Sequence, residues 1–151
     1  MSKENILQQL SEQAQSETGF DGVLTPQLAH AIIQQYQDSG EIFLVDVRTN
    51  EERVFTGYVP ESIHVAWATG TSFTRNPRFV RELESKTGKD KIVLLLCRSG
   101  NRSKQAAIAA KSEGFNHVFN VAEGFEGDVS ETQRRNSVNG WKYHKLPWVQ
   151  T

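Results

Sequence analysis

Short, nearly continuous apolar runs alternate along the chain with longer stretches in which apolar residues recur every three or four positions, and these two periods predict its elements. Ile6, Leu7, Leu10 and Ala14 fall at helical spacing and predict an amphipathic helix over residues 3–16, a docked extension of residues 1–23 ahead of a domain over 24–151. A second helix takes Thr25 as its cap and Pro26 in its first turn, carries Leu28, Ala29, Ile32, Ile33 and Tyr36, and stops near Gly40. Residues 42–47 and 91–96 read as strands buried on both faces, and residues 63–67 and 117–121 add two more. Between them lie a short helical turn over residues 50–56, a polar loop over 68–76, and a helix opened by Asn76 and Pro77 and stopped by Gly88. An alanine-rich helix over residues 103–113 is closed by Gly114. Strands and helices alternating at this rhythm imply an α/β fold, a mainly parallel sheet with helices on both faces, whose ligand sites lie beyond the strand C-termini.

Composition narrows the partners. A chain of 151 residues that is 37% hydrophobic buries one good core. Lys and Arg total 17 against 18 Asp and Glu, so a net charge of -1 offers no global field to draw in nucleic acid or an acidic membrane. The run from Ile92 to Cys97 is too short to cross a bilayer, and the N-terminus lacks an apolar signal core, so the expected location is the cytoplasm. A single cysteine excludes an internal disulfide and a thiolate zinc site. His30, His64, His117 and His144 show no close metal-ligand spacing, and neither metal nor cofactor is expected.

Cys97 directly follows the strongest predicted strand and precedes a tight loop and a helix. In that arrangement loop N–H groups turn inward and the first helical turn adds its own unpaired donors, a cradle for an anion. The helix dipole and the guanidiniums of Arg98 and Arg102 favour a thiolate, and hence a nucleophile. Gly100 permits the sharp turn, Ser103 is placed to cap the helix, and Arg98 is placed to grip an incoming oxyanion. The loop lacks the G-x-x-x-x-G-K-[ST] order of a nucleotide-binding loop. Trp67, Trp141 and Trp148 read as core and tail packing residues, with Trp67 a candidate to line the site.

Cys97-Arg98-Ser99-Gly100-Asn101-Arg102-Ser103 resembles the active-site loop of the rhodanese family, and Asp46-Val47-Arg48 with Glu51-Glu52 resembles its upstream D-V-R-x-x-x-E pattern. Gly57-Tyr58-Val59-Pro60 is similar to its G-H-[IV]-P turn, with Tyr58 in the place of His and Glu61-Ser62 in the place of Gly-Ala. Residues 114–125 resemble its closing G-F-x-x-V-x-N-x-x-x-G-[FW] pattern, and Trp141 to Pro147 its W-x-x-x-G-L-P ending. The resemblance spans roughly residues 24 to 148 and departs in an insertion near 126–140 that carries Arg134 and Arg135, read as a surface loop or a basic lid. It implies that Cys97 takes sulfur from a small donor such as thiosulfate as a persulfide. A thiol, cyanide or a protein cysteine then accepts it, while Arg98, Ser99, Gly100, Asn101, Arg102 and Ser103 bind substrate. Asp46 and Arg48 hold the scaffold. The rivals are a cysteine phosphatase, whose loop on this scaffold is C-x5-R rather than C-x4-R, and a non-enzymatic persulfide sensor or binding module.

Overall fold

The computed structural model describes residues 3–150. Its elements are α1 (Lys3–Gln13), β1 (Gln15–Glu17), β2 (Phe20–Leu24), α2 (Pro26–Tyr36), β3 (Ile42–Asp46), α3 (Asn50–Thr56), β4 (Ile63–His64), β5 (Ala68–Thr69), β6 (Thr74–Arg75), α4 (Phe79–Thr87), β7 (Ile92–Leu96), α5 (Asn101–Ser112) and β8 (His117–Val121). Six strands form one sheet in the order β1-β2-β8-β7-β3-β4, parallel throughout except for the β1–β2 pair. The mainly parallel α/β architecture is therefore present, with β7 at its centre.

Alternation along β7 builds two cores. Ile92, Leu94 and Leu96 face one way, onto Ile6 and Leu10 of α1 and Ala29 and Ile32 of α2. Val93 and Leu95 face the other way with Cys97, onto Leu83 of α4 and Ala106, Ala107 and Ala110 of α5. All five residues of β7 are fully buried, and each such side chain contributes about 1.5–3 kcal/mol of transfer free energy. The small alanines let α5 lie close to the sheet, which brings its N-terminus up to the end of β7.

Four local expectations are corrected. The N-terminal helix ends at Gln13, and the chain turns through β1 into β2, which pairs parallel with β8 and joins the sheet. The strand expected over residues 63–67 is only Ile63–His64. The loop expected over 68–76 contains a small hairpin, β5 against β6. Ser103 caps nothing: the residue before α5 is Gly100, in the left-handed conformation at φ 102°, and it carries no side-chain cap. Thr25, by contrast, caps α2 through its hydroxyl as expected.

Candidate active site

The peptide after β7 is held by three successive N–H groups of one segment. The Cys97 carbonyl accepts from the Phe125 N–H at 2.7 Å, and the Arg98 carbonyl accepts from the N–H groups of Glu126 at 2.9 Å and Gly127 at 3.1 Å. Gly124 makes this approach possible: at φ +70°, a Cβ there would lie 2.5 Å from the Arg98 carbonyl and the Ser99 nitrogen. The segment after β8 thus forms one wall of the cysteine loop.

Cys97 has no exposed surface. Its Sγ receives the Gly100 N–H at 3.0 Å and lies 3.3 Å from the Ser103 hydroxyl, while the first-turn N–H groups of α5 have no intrahelical carbonyl to bond. Ser103, fully buried, also has Asn120 Oδ1 at 2.5 Å, and Asn120 Nδ2 donates to the Gly100 carbonyl at 3.3 Å. A hydroxyl has one proton to give. That proton has three acceptors within reach, Asn120 Oδ1, the Gly100 carbonyl at 3.2 Å and the sulfur. This replaces the expected capping role with a place against the sulfur itself.

The two arginines of the loop differ. Arg102 donates to both carboxylate oxygens of Glu52 at 2.7 Å each, and its guanidinium lies 4.8 Å over the ring of Phe73. Burial penalises both charges, but the reciprocal hydrogen bonds and charges outweigh it, so the Glu52 carboxyl is held below its ordinary value and the Arg102 guanidinium above it. Glu52 also completes a capping box at the start of α3 with Thr49. Arg98 has no such partner: its Nε is the one buried side-chain polar atom left without a hydrogen bond among the described residues. Ser99 is half-buried and Asn101 exposed.

Asp46 and Arg48, both fully buried, form a two-pronged pair with Nε at 3.0 Å from Oδ1 and Nη2 at 2.8 Å from Oδ2. Arg48 further donates to the Gly57 carbonyl and the Thr56 hydroxyl, and stacks 4.2 Å over Phe125, the residue that anchors the Cys97 carbonyl. The pair therefore ties the end of β3 and the C-terminus of α3 to the wall of the loop. No group of three or more His, Cys, Asp or Glu residues among the described residues is arranged to hold a metal. His30 packs edge-on against Trp141, His64 bonds the Arg48 carbonyl, and His144 joins Glu123. Trp67 is a core residue against Phe79. Arg135 donates to the Gly127 carbonyl at 2.7 Å, and Arg134 is exposed.

A cleft of about 310 Å³ opens beside this loop, lined by Glu51, Glu52, Phe55, Phe73, Arg98 and Glu126 among others; neither Arg134 nor Arg135 lines it. Phe55, Phe73 and Glu126 were not singled out from the sequence. An exposed phenylalanine carries no local pattern, and only the fold shows that residues so far apart share one mouth.

The family model for the rhodanese-like domain matches residues 28–131, and the chain belongs to that family. It is 36% identical over 112 residues to an uncharacterized protein of Rickettsia conorii, covering 70% of this chain and 81% of that one. A protein of Allochromatium vinosum named sulfurtransferase is 26% identical over 121 residues, covering 80% and 91% of the two chains. Among solved structures, a crystal structure of a protein from M. tuberculosis matches with a TM-score of 0.73 at 36% identity, covering 87% of this chain and 99% of that one. No helix among the described residues is long and apolar enough to cross a membrane.

Proposed function

We propose that this chain is a sulfurtransferase whose Cys97 takes a sulfane sulfur from a small donor, holds it as a persulfide and passes it to an outside thiophile. The observation that carries this is the placement of Sγ, 3.0 Å from the Gly100 N–H and 3.3 Å from the Ser103 hydroxyl at the start of α5, where donors and helix dipole favour negative charge on sulfur. Family membership and the named activity of the A. vinosum relative support the same reading.

In the first step the Cys97 thiolate attacks the outer sulfur of the donor. With thiosulfate, the new S–S bond forms as the old one breaks, the bonding pair leaves with sulfite, and the enzyme carries Cys–S–S⁻. In the second step a thiol, cyanide or protein cysteine attacks the outer sulfur and restores the thiolate; no second cysteine exists in the chain to do this internally. The unpartnered Arg98 Nε supplies a charged donor for an oxyanion, whereas Arg102 is spent on Glu52 and shapes the loop. Asp46 and Arg48 act as support beneath it.

Excess thiosulfate or an organic thiosulfonate should add the mass of one sulfur to the intact chain, reversibly with a reducing thiol, and Cys97→Ser should abolish it. The same sample should not turn over an aryl phosphate, because the six-residue ring from Cys97 to Arg102 is small for three phosphoryl oxygens. An adduct on the serine variant, no adduct with either donor, or phosphatase activity lost in Cys97→Ser would overturn the reading.

A further inference from the structure

Residues 147–150 do not trail away from the fold. After Pro147, whose carbonyl accepts from Trp141 Nε1 at 2.7 Å, the chain runs back across the C-terminus of α3. Val149 and Tyr58 exchange both main-chain hydrogen bonds at 2.9 Å. Gln150 Nε2 donates at 2.9 Å to the Phe55 carbonyl, one of the last-turn carbonyls that α3 itself leaves without a partner. Ordering this strap costs conformational entropy, yet Trp148 and Val149 remain 41% and 42% exposed, so burial offsets only part of that cost.

What the strap adds is an indole ring at one place. The edge of the Trp148 ring lies so close to Gly57, at φ +90°, that a Cβ there would fall 2.5 Å from it, and the Gly57 carbonyl accepts from Arg48 Nη2 at 2.8 Å. The indole meets the Phe125 ring edge-on, with centroids 6.2 Å apart, and the Arg48 guanidinium stands 4.2 Å from the Phe125 centroid. Lys142 completes the group, its ammonium 4.0 Å from the Trp148 centroid and 4.9 Å from that of Phe125. Burial holds the Lys142 ammonium below its ordinary pKa; Glu126 opposes the shift and Arg48 adds to it. Trp148 offers this second cation a nearer π face than Phe125 does, and Arg48 keeps the closer place on Phe125. Phe125 is the link to the chemistry: it is fully buried among these groups, and its N–H holds the Cys97 carbonyl at 2.7 Å, on the residue that carries the reacting sulfur. Trp148 itself lies beyond residues 28–131, the part of the chain that the family model matches.

We infer that Trp148 is a positioning residue for sulfur transfer, acting through Phe125 to hold the Cys97 peptide in register with the loop donors that face the sulfur. This rests on the sulfurtransferase reading and adds a residue to its machinery. The ring of Phe125, fixed between Arg48 and Trp148, leaves its N–H one position, and the carbonyl anchored there sets how the cysteine loop leaves β7 and enters α5. With the indole gone, Phe125 loses one of the contacts that fix it, and the 2.7 Å hydrogen bond loosens with it.

Trp148→Ala and Trp148→Phe are compared with the native chain by thiocyanate formation from thiosulfate and cyanide, at a temperature where thermal melts show all three folded. Trp148→Ala should lower kcat at least fivefold with KM changed less than threefold, and Trp148→Phe should bring kcat back to within threefold of native. Amide hydrogen exchange supplies a readout that a general loosening would not move. In Trp148→Ala, protection of the Phe125 amide should fall at least tenfold further than that of Val45 and Leu94 in the β3–β7 ladder. A smaller loss of kcat, no recovery with phenylalanine, or Phe125 protection that falls only in step with the ladder would overturn the inference and return Trp148 to packing, with sulfur transfer intact. If the native chain forms no thiocyanate, it is the sulfurtransferase reading that fails, and the exchange comparison alone decides whether Trp148 fixes the Cys97 peptide.

Discussion

Ser103 concentrates what the fold adds to the sequence at the scale of a residue. Its place in the loop was legible, because a strand, a turn glycine and a helix follow one another from Ile92 to Ser112. Its role was not, because that depends on the rotation of α5 and on Asn120, which arrives from β8. With one proton and three acceptors within reach, Asn120 Oδ1, the Gly100 carbonyl and the sulfur, Ser103 is placed to stabilise negative charge on Sγ as it develops. Ser103→Ala should therefore slow sulfur transfer roughly tenfold, the value of one hydrogen bond to a charged group. It should also cost about 1–3 kcal/mol of stability, because it leaves the Asn120 oxygen buried and unpaired. Donor kinetics read against a chemical melt check both; an unchanged turnover number would confine Ser103 to holding Asn120.

Between elements, the pairing of Glu52 with Arg102 joins α3 to α5 across fifty positions of sequence. Each partner stood in a recognisable patch, but no local pattern reveals that the two meet; only the parallel pairing of β3 with β7 sets the ends of these strands side by side. The same limit hid the β5–β6 hairpin, whose two-residue strands are too short to show alternation. Because the folded Glu52 carboxyl lies below its ordinary value of 4.5, its contribution is complete above that pH and is lost as the pH falls through the folded value. Glu52→Gln should lower stability by about 1–3 kcal/mol at neutral pH, since it leaves the Arg102 guanidinium without its counter-charge. The gap between native and variant chains should close progressively below pH 4.5. Denaturation curves at several pH values test this, and a gap that persisted in strong acid would assign the loss to packing.

For the molecule as a whole, the mainly parallel sheet and the cysteine's place at a strand end are legible from apolar runs and turn residues, since β7 is buried along its length; the strand order is not, because it depends on β1 and β2, which carry no such run. Residues 1–23 read from the sequence as a docked extension, and in the fold Ile6 and Leu10 of α1 are fully buried in one of the two cores. Deleting residues 1–13 should cost roughly 3–6 kcal/mol, two fully buried aliphatic side chains. That corresponds to a fall in Tm of roughly 10 °C or more, measurable by calorimetry. A melt unchanged by the deletion would make the segment a separable appendage. The wall of the cysteine loop carries a different consequence, one of timing. Asn120, Gly124, Phe125 and Glu126 are all translated after Cys97, and β8 must slot between β2 and β7 before any of them can reach it. On the ribosome the thiol is therefore made well before it can be sheltered. The nascent chain passes through an interval in which its only thiol is bare to oxidants, and parallel pairing between distant strands, slow by its nature, prolongs that interval.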